Sequence, residues 1–184
     1  IPAGLIGTVP THKLNWAFET VPQAGLNGRR GYQPRGKVMG GSSAINAMCY
    51  IRGHASDYDG WAADGCTGWS WSEVLPWFKR AEGCLVPDAD ASVHGFDGPL
   101  KVSTLRSPSG FNQLMLDAAV ECGHARNDDF NGAQQDGVGL YHVTQERGVR
   151  SDAAHAYLDP VRARANLTLM ANAHATRVTF DERR

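Results

Sequence analysis

The sequence lacks the long apolar runs and the charge excess that would direct it to a membrane or a nucleic acid. No stretch of the 184 residues approaches the roughly 18 consecutive apolar residues of a membrane-spanning helix. The 18 basic and 19 acidic side chains give a net charge of −1, which creates no basic field for a phosphate backbone. We therefore expect neither an integral membrane segment nor a nucleic-acid partner.

Metal-binding spacings are also absent. The four cysteines form no CxxC or CxxxxC pair, and the seven histidines form no HxH or HExxH pattern. Residues 127–132 begin like a calcium loop, but Val138 stands where that pattern requires a glutamate. We expect no bound metal, and reduced thiols in a cytoplasmic protein.

Two segments have the pattern of capped helices. A helix over 71–81 would be opened by Ser70 or Ser72 and carry Glu73 in its first turn, and the apolar spacing of 111–122 is helical and ends at Gly123. Alternating residues predict short strands, of which the last two are expected to pair as a β-hairpin: 100–104, 138–144, 167–171 and 175–180. Four indole side chains are expected to form a buried cluster: Trp61, Trp69, Trp71 and Trp77.

The sharpest local feature is a glycine–serine loop at 40–43, directly before an apolar run. Glycines let a backbone approach a ligand closely, and N–H groups at a helix start favour an anion or an electron-rich ring edge. The pattern predicts a tight loop leading into a helix capped by Ser42 or Ser43. Because Lys37 precedes the glycines, the loop is not a P-loop. An ordinary tight turn is the commoner meaning of a glycine pair.

A longer series of motifs surrounds this loop. In order along the chain they are GKVMGGSSAINAMCYIRG at 36–53, DYDGW at 57–61, GWSW at 68–71, DFNG at 129–132 and RS at 150–151. This series resembles the first signature and following segments of the glucose–methanol–choline (GMC) flavoprotein oxidoreductases, and is most similar to choline dehydrogenase-like alcohol dehydrogenases. The resemblance covers nearly the whole chain.

The resemblance implies that this chain contacts FAD. The loop is similar to the segment along the FAD pyrophosphate and isoalloxazine, the stretch 46–49 to the one against the flavin ring, and Ala175 to the position whose backbone holds the adenine. Some members attach FAD covalently to a histidine where this chain has Ile45, so non-covalent FAD is implied. The implied cofactor-binding residues are Val38, Gly40, Gly41, Ser42, Asn46, Ala47, Met48, Cys49 and Ala175.

The resemblance also implies an α+β fold in two pieces. Residues 1–84 and 165–184 would belong to a FAD/NAD(P)-binding-type α/β domain, and 85–164 would begin a substrate domain with an antiparallel sheet. Members carry a GxGxxG unit and a C-terminal catalytic histidine, neither of which is found in these 184 residues. We therefore expect no catalytic base in this chain.

The implied activity is oxidation of a primary alcohol, choline-like or other, by hydride transfer to flavin N5. The partners would be a small alcohol and an electron acceptor that the sequence does not identify. Two alternatives remain open at this stage, a non-redox lyase of the same fold and an inactive FAD-binding fragment or scaffold. The expected location is cytoplasmic, and peripheral attachment of the full-length enzyme to a membrane is an alternative.

Overall fold

The computed structural model describes residues 2–180, and its four helices and eight very short strands form an α+β arrangement. The α-helices are α1 Leu5–Thr8, α2 Ala55–Ala63, α3 Trp71–Ala81 and α4 Gly110–Glu121. The strands are β1 Phe18–Glu19, β2 Tyr32–Gln33, β3 Cys49–Tyr50, β4 Glu82–Cys84, β5 Leu100–Val102, β6 His142–Val143, β7 Gln145–Glu146 and β8 Val149–Arg150. Single turns of 3₁₀ helix occur at Pro2–Gly4, Ala24–Leu26, Gly41–Ala44 and Asp159–Val161, and a π-helical turn at Ala154–Leu158. Within this part of the chain, every helix is too short or too polar to cross a membrane.

The strands pair in four sets, of which two are joined to each other. β4 runs parallel to β5, and β3 runs antiparallel to β6. Ser103, just after β5, exchanges two backbone hydrogen bonds with Val143 of β6, at 2.9 and 2.8 Å. β1–β2 and β7–β8 are separate antiparallel pairs. The expected division at residue 84 separates β4 from its partner β5, and residues 181–184 of the expected final segment lie outside the described residues.

The two capped helices are confirmed. α3 begins after Ser70, whose backbone N–H and hydroxyl both donate to the Glu73 carboxylate, at 3.0 and 2.6 Å. These hydrogen bonds lower the pKa of Glu73. α4 ends at Glu121, and Gly123 follows with a φ of +92°, which stops the helix in the way that glycine permits.

Asn15 organises the N-terminal segment, which has little regular structure. Its side chain is only 1% exposed, and its Oδ1 accepts hydrogen bonds from the backbone N–H groups of Ala17 and Arg35, at 3.0 and 2.8 Å. Its Nδ2 donates to the carbonyl oxygen of Val9 at 2.7 Å. One buried amide therefore connects the chain before β1 to the chain after β2.

The expected hairpin over 167–180 is wrong. Among the described residues no strand follows β8, and the apolar side chains of this segment lie in solvent: Met170 is 77%, Val178 78% and Phe180 87% exposed. Alternation identifies two faces of an extended chain, but a strand forms only where its backbone has a partner. The expected strand over 138–144 is likewise reduced to the two residues of β6.

The expected buried tryptophan cluster is also wrong. Trp61, Trp69 and Trp77 are 48%, 53% and 64% exposed. Several aromatic rings contact one another around Tyr58, whose ring centroid lies 5.4 Å from that of Trp61 and 5.6 Å from that of Trp71. Tyr58 itself is buried, so these rings form a surface layer over one buried tyrosine.

Gly95 gives a test of the packing between α3 and the turn before β5. A Cβ at this position would fall on the backbone carbonyl of Lys79 in α3, so we expect Gly95→Ala to lower the free energy of unfolding by about 1–3 kcal/mol. Gly60→Ala in α2 is the matched control, because nothing lies within 4 Å of its Cβ and alanine favours a helix by about 1 kcal/mol. Urea unfolding of both variants measures the difference, and equal stability would contradict this packing.

Candidate functional site

The glycine–serine loop is a tight turn, followed by one turn of 3₁₀ helix. Gly40 and Gly41 have φ angles of +87° and +59°, a region that favours glycine. The Ser43 hydroxyl donates to the carbonyl of Gly40 at 2.6 Å. A Cβ at Gly36 would collide with the carbonyl of Gly41, so glycine is required where the two segments meet.

The helix expected after this loop does not form, and Ser42 and Ser43 cap none. The 3₁₀ turn ends at Ala44, and the chain is then turned by Asn46, whose Oδ1 accepts the backbone N–H of Met48 at 3.0 Å. Met48 has a φ of +65°, which no helix interior contains. A local side-chain hydrogen bond has therefore replaced helical pairing, as short polar side chains often do.

The stretch after the 3₁₀ turn has a buried and an exposed side. Ile45 and Met48 are 4% and 6% exposed, whereas Asn46, Ala47 and Cys49 are exposed. The left-handed backbone at Met48 is held from both sides, because its N–H donates to Asn46 and its carbonyl accepts the N–H of Thr144 at 2.9 Å. Backbone of this kind costs about 1–3 kcal/mol and persists only where its surroundings impose it.

A groove of about 750 Å³ lies beside the start of the loop. This volume is within the range of small-molecule and cofactor pockets. Lys37 extends its Nζ to 4.5 Å from the centre of the Trp16 ring, and the His174 ring lies 4.7 Å from the same indole. The groove is lined by two lysines, an indole and two backbone segments: Lys13, Trp16, 36–39 and 170–174.

The structure brings together some of the residues that the sequence indicated. Val38 lines the groove, and Ala175 directly follows the lining residue His174. The loop residues Gly40, Gly41 and Ser42 continue from the lining residue Met39. Outside the groove lining are the exposed residues Asn46, Ala47 and Cys49 and the buried side chain of Met48.

Val38 is the one lining residue that the sequence indicated as cofactor-binding, and the lining side chains that it did not indicate include Lys13 and Trp16. Lys13 and Trp16 lie in a segment that carried no recognisable motif, although the sequence around Trp16 was unusually aromatic for a polar stretch. The side chain of Asn15 holds this segment beside residues 35–37, together with backbone hydrogen bonds from Trp16 to the Arg35 carbonyl and from Lys37 to the Leu14 carbonyl, both at 2.8 Å. The aromatic residues around Trp16 were therefore the one sequence feature that could have indicated this part of the groove lining.

A buried ionic cluster is formed around Glu82 and includes Arg52, which lies just after β3. Glu82 has no exposed surface, and its carboxylate accepts hydrogen bonds from Arg52 Nη2 at 2.6 Å, from His94 Nδ1 at 3.0 Å and from the Gly95 N–H at 3.0 Å. The second ring nitrogen of His94 lies 2.8 Å from Asp129 Oδ2. Two carboxylates are thus matched by one guanidinium and one imidazolium, as burial of charge requires.

Position within this cluster determines the protonation of its histidines. Hydrogen bonds to Asp129 and Glu82 raise the pKa of His94 to about 9 against the effect of burial. Burial acts to raise the pKa of Asp129, but the hydrogen bonds from His94 and from the Asn131 N–H outweigh it, so the pKa of Asp129 is lowered. Burial lowers the pKa of His142, whose Nδ1 is 3.7 Å from Asp129 Oδ1. Near neutral pH the cluster therefore contains one charged and one neutral histidine.

Three side chains of this region are close enough to bind one metal ion, but their ligand atoms are already engaged or protonated. Ligand atoms of Glu82, Cys84 and His94 lie within 4.8 Å of one another. However, both ring nitrogens of His94 are bound to carboxylates and Arg52 is bound to Glu82. Burial also raises the pKa of the Cys84 thiol, which opposes thiolate coordination. The donor set fits an internal ion-pair network.

The polar loop that starts like a calcium site is also structural. Asn131 Oδ1 accepts the N–H of Arg52 at 2.7 Å, and its Nδ2 donates to the carbonyl of Tyr50 at 3.0 Å. Gln135 Nε2 donates to the carbonyl of Arg52 at 2.9 Å. These side chains hold the backbone that leaves β3 and thereby fix the end of the stretch 46–49.

His94 should make stability depend on pH. Its folded-state pKa is raised, so its contribution is complete below the unfolded value of about 6.5 and is lost as the pH rises through about 9. We expect His94→Gln to reduce the free energy of unfolding by about 3 kcal/mol near pH 6, and by progressively less toward pH 10.

Urea unfolding across that pH range measures the difference. His124→Gln is the control, since His124 is exposed and outside the cluster. A destabilisation by His94→Gln that stays constant from about pH 6 to about pH 10 would contradict a charged His94.

Comparison with known proteins gives consistent matches. The family model described as GMC oxidoreductase matches residues 1–184. An alcohol dehydrogenase (acceptor) from Pseudomonas putida is 44% identical over 184 residues, which is 100% of this chain and 33% of that protein. An oxygen-dependent choline dehydrogenase from Photobacterium profundum is 41% identical over 171 residues, 92% of this chain and 30% of that protein.

The fold also matches solved structures. A FAD-dependent oxidoreductase from Chaetomium thermophilum superimposes with a TM-score of 0.79 at 31% identity, over 86% of this chain and 29% of that one. This chain spans about a third of the length of each of these proteins.

Proposed function

The chain belongs to the GMC oxidoreductase family, and on that premise we propose that it forms part of the FAD site of an enzyme that oxidises a primary alcohol. The alcohol would be choline or another small primary alcohol, since the two relatives described above are named for alcohol and choline dehydrogenation. The electron acceptor is left undefined, because those two names differ on it.

The observation that carries the proposal is the groove beside the glycine–serine loop. Its volume of about 750 Å³ suits a large cofactor, and its lining combines two lysines with an indole. Lysine ammonium groups would neutralise a diphosphate, and an aromatic face would pack against a flat ring system. The named neighbour that depends on FAD has the same fold, which supports FAD as the occupant.

We propose the following roles for this chain's residues. Val38 and the backbone around Ala175 would contact FAD in the groove, and the glycine backbone at 40 and 41 would allow its close approach. Asn46, Ala47 and Cys49 would face the ring system with their exposed side, together with the backbone of Met48. Ser42 would complete the loop contact, and buried Ile45 offers no group for covalent attachment, which favours non-covalent FAD.

When bound, FAD would supply the N5 atom that accepts a hydride from the alcohol carbon. The chain's own part would be to bind this cofactor, orient it and donate a hydrogen bond from the Asn46 amide. His94 is unsuited to remove the alcohol proton, because both its nitrogens are bound within the ionic cluster. We propose a proton acceptor outside this chain.

The domain assignment follows from the same proposal. Residues 1–84 and 165–184 would belong to the FAD-binding domain and 85–164 to the beginning of the substrate domain. The hairpin β7–β8 would then lie in the substrate domain and contact the cofactor loop, since Ala153, just after β8, donates its N–H to the Ser43 hydroxyl at 2.9 Å. A cytoplasmic location remains part of this proposal.

Val38 allows a sharp test of the groove. We expect Val38→Asp in the full-length protein to weaken FAD binding at least about tenfold, because a carboxylate there would repel the diphosphate and add a desolvation cost. Val21→Asp is the matched control, since Val21 is exposed and outside the groove. Fluorescence titration of the apoprotein with FAD measures both affinities, and equal affinities would exclude this groove as the site.

The activity is tested by anaerobic addition of choline and other small primary alcohols to the FAD-loaded full-length protein. Bleaching of the visible flavin absorption by one of them is the expected result. Retained FAD that no alcohol bleaches would favour a scaffold, and cleavage of a cyanohydrin without an electron acceptor would favour a lyase. A folded protein that retains no FAD would overturn the proposal.

A further inference from the structure

Arg150 reaches from β8 into the glycine–serine loop. The residue is only 7% exposed, and its Nη1 donates one hydrogen bond to the carbonyl of Ser43 at 3.0 Å and another to Oδ1 of Asn46 at 2.8 Å. Both acceptors lie in the stretch for which we proposed contact with FAD. Arg150 therefore connects β8 directly to that stretch.

The consequence of this contact falls on the amide of Asn46. Its Oδ1 also accepts the backbone N–H of Met48 at 3.0 Å, so two donors converge on one oxygen. An amide flipped by half a turn would present its NH₂ group to both donors, which excludes that orientation. The NH₂ group is therefore the polar group that the exposed Asn46 can offer to a ligand.

On the basis of the proposed FAD site, we propose that Arg150 is a positioning residue that makes Asn46 a hydrogen-bond donor toward the cofactor. FAD gains negative charge when it is reduced, and a preorganised N–H donor stabilises such charge whereas an amide oxygen opposes it. Arg150 would thereby favour the reduced cofactor without touching it. This assigns to β8 a part in setting the reduction potential.

The rest of the loop is held by contacts that do not involve Arg150. Ala153 donates its N–H to the Ser43 hydroxyl, which in turn donates to the Gly40 carbonyl. Thr144 donates its N–H to the Met48 carbonyl, and Ser151 donates its own to the Thr144 carbonyl. Loss of the guanidinium should therefore leave the Asn46 amide oriented by the Met48 N–H alone, a weaker restraint, while these backbone contacts remain.

The test is a double-mutant cycle on the FAD-loaded full-length protein, read as the reduction potential of FAD against a reference dye. We expect Arg150→Met to lower the ratio of reduced to oxidised FAD about tenfold at a fixed dye potential. In an Asn46→Ala background the same substitution should change the ratio less than about twofold, because the group that Arg150 positions is gone. Arg147→Met, in the exposed turn between β7 and β8, is the control and should leave the ratio unchanged.

The cycle separates positioning from a direct effect of charge. An equal decrease in both backgrounds would mean that the guanidinium acts through space, and would overturn the proposal, as would an unchanged potential in Arg150→Met. Arg150→Lys keeps the charge but not the planar guanidinium, so we expect an intermediate ratio that again depends on Asn46. If Arg150→Met does not fold, the cycle with Arg150→Lys decides by the same criterion.

The wild-type protein distinguishes this inference from the function on which it rests. A wild type that retains no FAD overturns the proposed function and this inference with it. A wild type that retains FAD, together with a potential that is insensitive to Arg150, overturns only the positioning role.

Discussion

A carboxylate with no exposed surface must be neutralised where it lies, and the partners of Glu82 come from two separate segments. Arg52 comes from the chain after β3, and His94 and Gly95 from the turn before β5. Through His94 the same cluster includes Asp129, at the start of the polar loop. Each partner must be in place before Glu82 can be buried, so these segments are expected to assemble together.

Strands of two or three residues supply few backbone hydrogen bonds, and the side-chain amides of three asparagines form additional hydrogen bonds with the backbone. Asn15, Asn46 and Asn131 each accept a backbone N–H through Oδ1, and Asn15 and Asn131 also donate to a backbone carbonyl. Each thus fixes a stretch of irregular chain that a sheet or helix would otherwise hold. The fold is determined by particular polar contacts as much as by its small apolar core.

Asparagine side chains also hold together the two parts of the candidate site, the groove and the glycine–serine loop. Asn15 helps to hold the segment with Trp16 beside residues 35–37, and Trp16 and residues 36–39 line the groove. Asn46 turns the chain at Met48 and shares its oxygen with Arg150, so the hairpin β7–β8 and the glycine–serine loop form one assembly. A ligand held by the loop would therefore also be sensitive to the position of the hairpin.

The sequence alone determined the family, through an ordered series of motifs, and the two helices whose caps and apolar periods are local, 71–81 and 110–121. Tertiary structure decided the rest. The alternating residues of 167–180 had no partner strand, the helix expected after Ser43 was displaced by the Asn46 turn, and the ionic cluster joined residues up to 77 positions apart. Local patterns report the period of a segment, whereas pairing and charge neutralisation depend on which distant groups meet it in space.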